Sequence, residues 1–279
     1  ERMERVTRRL RESLKARRIS PEATEKIVDA IGSFALYGFP ESHSISFAIL
    51  AYGSTYLKAH FPVEFFTALL NHQPLGFYAP ATLIQDAKRR GIRFQAPCVA
   101  RSEWTCMIEE DNSIRLGLLT VKGLKQDSAQ LMLSERAARP FESLQDFLLR
   151  TEFAKDELRA LARVGALNAL CGDRRNALWE IEASVDKDDL FAGIREERLT
   201  YGEGYQLPLM NYVERLNADF AGMGLTVGAH PMAWVRDRLP KSIRSARELE
   251  FLPNGRSVRV AGAVICRQRP GTAKGVVFV

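Results

Sequence analysis

Apolar residues recur at helical spacing through the first ninety or so residues. In "SPEATEKIVDAIGSFALYG", Ala23, Ile27, Ala30, Ile31 and Phe34 fall on one face, which predicts a helix. Ser20 suits its cap, Pro21 its first position and Glu22 the positive end of its dipole. Gly38 and Pro40 end it. A second helix is expected from about Ser44 to Ala59, burying Phe47, Ala48, Tyr52 and Tyr56. Pro62 opens a third, "PVEFFTALLN", and "APATLIQDAKRRG" gives a fourth that stops at Gly91. Ahead of these, residues 1–18 carry eight basic and three acidic residues at helical spacing. They read either as a solvated helix with scattered ion pairs or as one that contacts phosphates.

The pattern then changes. "WTCMI" and "IRLGL" are short apolar runs around the polar turn "EEDNS", which predicts a hairpin. Residues 116–181 return to helical spacing, and 182–205 are polar and acidic, as a linker is. Residues 208–250 read as mostly helical, broken by "GMGLTVGAHP". From 256, in "RSVRVAGAVICRQRPGTAKGVVFV", β-branched residues alternate and a Gly-rich basic loop joins two strands. The expected fold is mainly α, ending in the start of a small β-domain. Four parts are expected: a helical block over 1–95, a hairpin and helical region over 96–181, a linker and connector over 182–255, and first strands over 256–279.

Composition narrows the function classes. Apolar residues make up 46%, enough for a packed core. Lys plus Arg outnumber Asp plus Glu by 40 to 34, and a sequence pI near 9.2 leans towards a polyanionic partner. The four cysteines have neither zinc spacing nor the look of a disulfide framework, which fits a reducing cytoplasm. No apolar run is long enough to span a bilayer, and no signal peptide opens the chain. Starting at Glu1 and ending on "GVVFV", the sequence reads as a cut through something longer.

Three stretches suggest chemistry. In "LGLLTVKGLKQDSAQLMLSERA" two helices would meet at the tight turn "VKGLK", with small Ala129 letting them cross closely. This resembles a helix-hairpin-helix motif, in which backbone N–H groups at the hairpin hold a phosphate. Lys122, Gly123 and Lys125 are its candidate DNA contacts. Lys125 stands where a second glycine is usual, so a positive φ there would mean strain. An ordinary αα-turn is the alternative. "KDELRALARVGALNALCGDRRNAL" would be a second, degenerate copy, with Arg174 and Arg175 after its turn. The closing strands resemble the opening of an OB-fold, a single-strand-binding barrel, with Arg267, Arg269 and Lys274 in its loop; a plain β-hairpin with a basic turn is the alternative. None of the four histidines has metal-ligand spacing, and no G-x-S-x-G, P-loop or G-x-G-x-x-G occurs.

Taken in order, "FALYGFPESHSISFAILAYGSTYLKAHFPVEFFTALLN", "ARSEWTCMI", "IRLGLLTVKGL" and "PFESLQDFLLR" resemble the C-family DNA polymerases of bacteria, the polymerase III alpha subunit family. "NHQPLGFYAPATLIQDAKRRGI", "ADFAGMGLTVGAHPMAWVRDRLP" and "RQRPGTAKGVVFV" are most similar to the error-prone, ImuC-type paralogue that acts in damage-induced mutagenesis and translesion synthesis. The resemblance covers essentially the whole chain. It implies that 1–95 is a fingers-type segment whose Tyr37, Ser42, His43 and Ser44 help position the incoming deoxynucleoside triphosphate. Ser44 as a plain N-cap beside an exposed His43 is the alternative. The catalytic palm, with the carboxylates for Mg²⁺, would lie outside this segment, leaving it inactive alone. Primer-template DNA is the implied partner, with the sliding clamp or accessory mutagenesis proteins as further candidates. "KDDLF" at 187–191 resembles a clamp-docking peptide with Lys187 in place of Gln. Rival readings are a stand-alone helix-hairpin-helix DNA-binding module, a replicative alpha-subunit segment, and a helical scaffold with no nucleic-acid role.

Overall fold

The computed structural model describes residues 2–37, 41–76, 78–183, 207–264, 267–269 and 275–278. The chain divides into two units, Glu1–Phe65 and Phe66–Val279.

In the first unit, α1 (Arg2–Ala16) packs against α2 (Pro21–Tyr37). Ser20 caps α2 as expected, its hydroxyl accepting the Ala23 N–H at 3.2 Å. Among the described side chains of α2, Thr24 and Val28 are buried, whereas Ile27 and Ile31, expected in the core, are more than a third exposed. Packing thus turns the helix by about a residue from its apolar stripe. Arg11 clasps Glu25 across the pair with two hydrogen bonds, at 3.0 and 2.8 Å.

α3 (Glu41–His60) begins earlier than the expected Ser44. His43 and Ser44 therefore lie in a helical first turn, not in a loop, and Ser44 is not an N-cap. The expected burial along α3 is also overturned: Phe47, Tyr52 and Tyr56 are all exposed.

α4 (Pro62–Asn71) leads into the second unit, where its Phe66 and Leu70 are buried with Leu83, Ile84 and Ala87 of α5 (Pro80–Arg89). The expected hairpin forms from β2 (Met107–Ile108) and β3 (Ile114–Arg115), and β1 (Phe94–Gln95) adds to β3 in parallel. Asn71 locks α4 to this sheet: its amide donates to the Cys106 carbonyl at 2.9 Å and accepts the Cys106 N–H at 2.7 Å. Gly117 is needed for a backbone crossing, since a Cβ there would stand 2.3 Å from the Thr105 carbonyl carbon.

A single 3₁₀ turn at Leu118–Thr120 then leads to α6 (Gln126–Ala138), α7 (Leu144–Arg150), α8 (Lys155–Val164), the short α9 (Asn168–Cys171) and α10 (Arg174–Ala183). α8 packs on α10 and on α11 (Tyr212–Met223). Met132, Phe147, Leu161, Leu167 and Ile181 fill the interior between them. α11 approaches α8 closely because residue 222 is glycine: a Cβ there would meet Val164 Cγ1 at 2.4 Å.

α12 (Pro231–Arg236) follows the "GMGLTVGAHP" break. The connector then gives β4 (Ile243–Arg244), α13 (Ala246–Leu249) and β5 (Arg259–Val260), with β5 paired in parallel to β4. The hairpin expected around the basic loop is seen at one pair, Gln268 and Phe278, which exchange backbone hydrogen bonds at 2.9 and 2.8 Å. The molecule is mainly helical with small sheets.

Candidate nucleic-acid interface

The turn "VKGLK" folds as a tight hairpin between the 3₁₀ turn and α6. Gly123 supplies the left-handed residue, at φ +83°. Lys125 does not: it is the extended N-cap of α6 at φ −84°, so the strain expected there is absent. A glycine is dispensable at the second position because the chain has already turned. Val121 and Ala129 are buried beneath the turn, while Lys122, Gly123 and Lys125 are exposed together. Two cationic side chains thus flank the exposed Gly123 just ahead of a helix, an arrangement suited to phosphate.

Two internal contacts shape this site. The Lys122 N–H donates to the Gly222 carbonyl at 2.8 Å, and its ammonium lies 3.4 Å from the Phe220 carbonyl, at the negative end of α11. The Lys125 N–H donates to buried Glu157 at 2.9 Å. The same carboxylate accepts the Ser128 hydroxyl at 3.3 Å and the Ala154 N–H at 3.0 Å. Glu157 therefore caps both α6 and α8 and fixes the first hairpin to the second. Sequence reasoning missed it; a lone Glu in a helix's first turn carries no sign of a partner 32 residues away.

The second hairpin turns at Gly165, at φ +81°, but Ala166 and Leu167 behind it are fully buried. The N-terminus of α10 already holds a carboxylate: Asp173 accepts the N–H groups of Arg175 at 2.8 Å and Asn176 at 3.1 Å. The arginines expected to touch DNA here are paired with carboxylates of this chain. Arg174 is 2.7 Å from buried Asp219, and Arg175 pairs with Glu214 at 2.7 Å. The second Asp219 oxygen accepts the Thr226 hydroxyl at 2.6 Å. Nearby, Lys88 donates to the carbonyls of Val227 and Gly228 at 2.7 and 2.6 Å. Burial holds the Lys88 ammonium below the usual lysine range, with Asp219 acting in opposition. The second copy and the "GMGLTVGAHP" segment thus form a scaffold beneath the first.

The other expected site residues lie apart from this hairpin in the sequence. Tyr37 ends α2, and Ser42, His43 and Ser44 occupy the first turn of α3, where the His43 ring meets Phe47 edge-on at 4.5 Å between centroids. Arg267 and Arg269 flank Gln268 of the terminal pair and are exposed. Lys274, and the 187–191 peptide with Lys187, Leu190 and Phe191, lie outside the described residues.

Residues 91–177 match the family described as "Helix-hairpin-helix motif", a span that includes both hairpins. The chain is 43% identical over 97% of its length to the error-prone DNA polymerase of Anaeromyxobacter sp. (strain K), of which that match covers 25%. It is 42% identical over 95% of its length to the one of Bordetella parapertussis, and 39% over 97% to that of Pseudomonas fluorescens; the matches cover 26% and 27% of those proteins. The chain thus spans about a quarter of the length of the curated relatives it matches. A likeness that runs through the helical block, both hairpins and the terminal strands places this chain in the family of the bacterial C-family error-prone DNA polymerases.

Proposed function

We propose that this chain holds primer-template DNA within an error-prone DNA polymerase that copies damaged template. The observation that carries the reading is the turn ahead of α6, where Lys122, Gly123 and Lys125 are exposed together and offer two ammonium groups to a phosphate. Duplex contact is assigned to the first hairpin. The second, with Arg174 and Arg175 paired internally, supports it. Arg267, Arg269 and Lys274 extend the basic surface towards an unpaired strand.

The first turn of α3 is assigned to the incoming deoxynucleotide. Ser42, His43 and Ser44 begin a 20-residue helix, whose positive end favours a triphosphate. Tyr37 would support them from the end of α2.

Joining nucleotides needs carboxylates that hold two Mg²⁺ ions. In this reading those carboxylates belong to another part of the enzyme, and no chemical step is assigned to this chain. The sliding clamp and accessory mutagenesis proteins are further proposed partners, the clamp through 187–191. No helix among the described residues is long and apolar enough to cross a membrane; a cytoplasmic location is part of the proposal.

The test is binding of a labelled primer-template to the purified chain across a salt series, with primer extension measured alongside. The reading expects affinity that falls steeply with salt and no extension. Salt-independent binding would remove the DNA role, and unaided extension would remove the division of labour.

A further inference from the structure

Lys88 stands on α5, outside both hairpins, yet its ammonium donates to two backbone carbonyls of the loop that follows α11, Val227 at 2.7 Å and Gly228 at 2.6 Å. That loop folds back along α11. Buried Thr226 donates its hydroxyl to Asp219 at 2.6 Å and accepts the Gly228 N–H at 3.0 Å. The Tyr212 hydroxyl donates to the Ala229 carbonyl at 2.7 Å. Asp219 and Tyr212 belong to α11, so these contacts hold the loop to its own helix. Lys88 comes from another element and ties that helix end to α5.

Lys122 grips the same end. Its N–H donates to the Gly222 carbonyl at 2.8 Å, and its ammonium lies 3.4 Å from the Phe220 carbonyl. Lys88 and Lys122 stand on one connected piece. α5 runs through residues 90–93 into β1, β1 pairs with β3, and β3 leads through the 3₁₀ turn to the first hairpin. The piece that presents the hairpin therefore holds the end of α11 at two places. One attachment leaves a pivot and two fix a direction. A lysine side chain has much rotamer freedom to lose, so a fixed partner is needed to set where the Lys122 ammonium points.

We propose that Lys88 is a positioning residue for DNA binding: by holding the loop after α11, it fixes the carbonyls against which Lys122 is set, and so fixes where the Lys122 ammonium meets a phosphate. Lys88 itself makes no DNA contact in this arrangement. It is half-buried, and two of its three N–H donors are already on carbonyls. The proposal rests on the reading that the first hairpin holds duplex phosphates.

The experiment is a double-mutant cycle on duplex affinity, read by anisotropy of a labelled primer-template with the full 279-residue chain across a salt series. Lys88→Met should weaken binding about threefold, as for groups coupled through one network. It should also flatten the dependence of log affinity on log salt by up to about 0.9, the value of one phosphate contact on a duplex. In a Lys122→Ala chain the same change should have no further effect, because the ammonium it positions is gone. Lys88→Arg keeps the charge and the donors and should restore both affinity and slope. Thr226→Val loosens the same loop from its other side and should repeat the pattern; it carries the test if circular dichroism shows Lys88→Met unfolded. Unchanged affinity in the folded variants would overturn the proposal. So would equal losses with and without Lys122, which would make Lys88 act on its own account. Normal duplex binding by Lys122→Ala would remove the hairpin reading and this proposal with it, whereas a loss there with none in Lys88→Met would remove the positioning role alone.

Discussion

The buried carboxylate of Glu157 accepts the backbone N–H of Lys125 at 2.9 Å, which ties the start of α8 to the start of α6. An acid at this point closes one of the α6 donors to any phosphate and leaves the exposed turn to do the binding. It also ties the two hairpins together. Replacing Glu157 with Gln puts an NH2 donor where one accepting oxygen stood, so a backbone N–H loses its acceptor. The expected loss is about 2 kcal/mol of unfolding free energy, because buried groups lose their partners. Urea denaturation measures it, and an unchanged midpoint would show that Glu157 is not the tie.

Gly222 and Val164 test the packing of α11 on α8. Gly222→Ala places a methyl where Val164 Cγ1 would be only 2.4 Å away. Overpacking of this kind costs about 1 to 3 kcal/mol. Val164→Ala in the same chain should recover part of that loss, and a double-mutant cycle reads the coupling directly.

Arg174 and Asp219 form a largely buried ion pair, which predicts that Arg174 acts in stability and not at the DNA surface. Arg174→Met should cost about 3 to 5 kcal/mol, the usual consequence of leaving one member of a buried pair alone. Removing both charges together, as Arg174→Met with Asp219→Leu, should cost less than the single change. At temperatures where both chains are folded, duplex affinity should match the unaltered protein. A selective loss of DNA binding with normal stability would return Arg174 to the interface.

Glu248 gives a pH prediction. The Ser245 N–H and hydroxyl, with Arg244, pull its carboxyl down to about 2. A depressed carboxylate stabilises the fold above the unfolded value of about 4.3 and loses that contribution as pH falls towards the folded value. Carbon-detected titration of the Glu248 carboxyl should show a midpoint near the lower figure, and Ser245→Ala should raise it. A midpoint at the ordinary glutamate value would contradict the geometry.

Much of this was legible from local pattern. Ser20 and Pro21 mark the start of α2, and "EEDNS" marks the turn between β2 and β3, because caps and turns are set by a few adjacent residues. The first hairpin was legible for the same reason. What failed depends on distant neighbours. Arg174 reads as a free cation until Asp219, 45 positions later, is folded against it. The exposed side of α3 was also unreadable, since an apolar stripe reports what a helix tends to bury and not what covers it.

The central claim is that the first hairpin holds DNA by its phosphates. Anisotropy of a labelled duplex, measured for the unaltered chain and for Lys122→Glu with Lys125→Glu between about 50 and 200 mM salt, tests it most directly. Lys122 also neutralises the end of α11, so Lys125→Glu alone serves as the control for folding. The account predicts binding several-fold weaker in the double variant, intermediate in the single one, and a salt slope shallower by about 1.8 for two lost phosphate contacts. Equal affinity and equal slope in folded variants would contradict it.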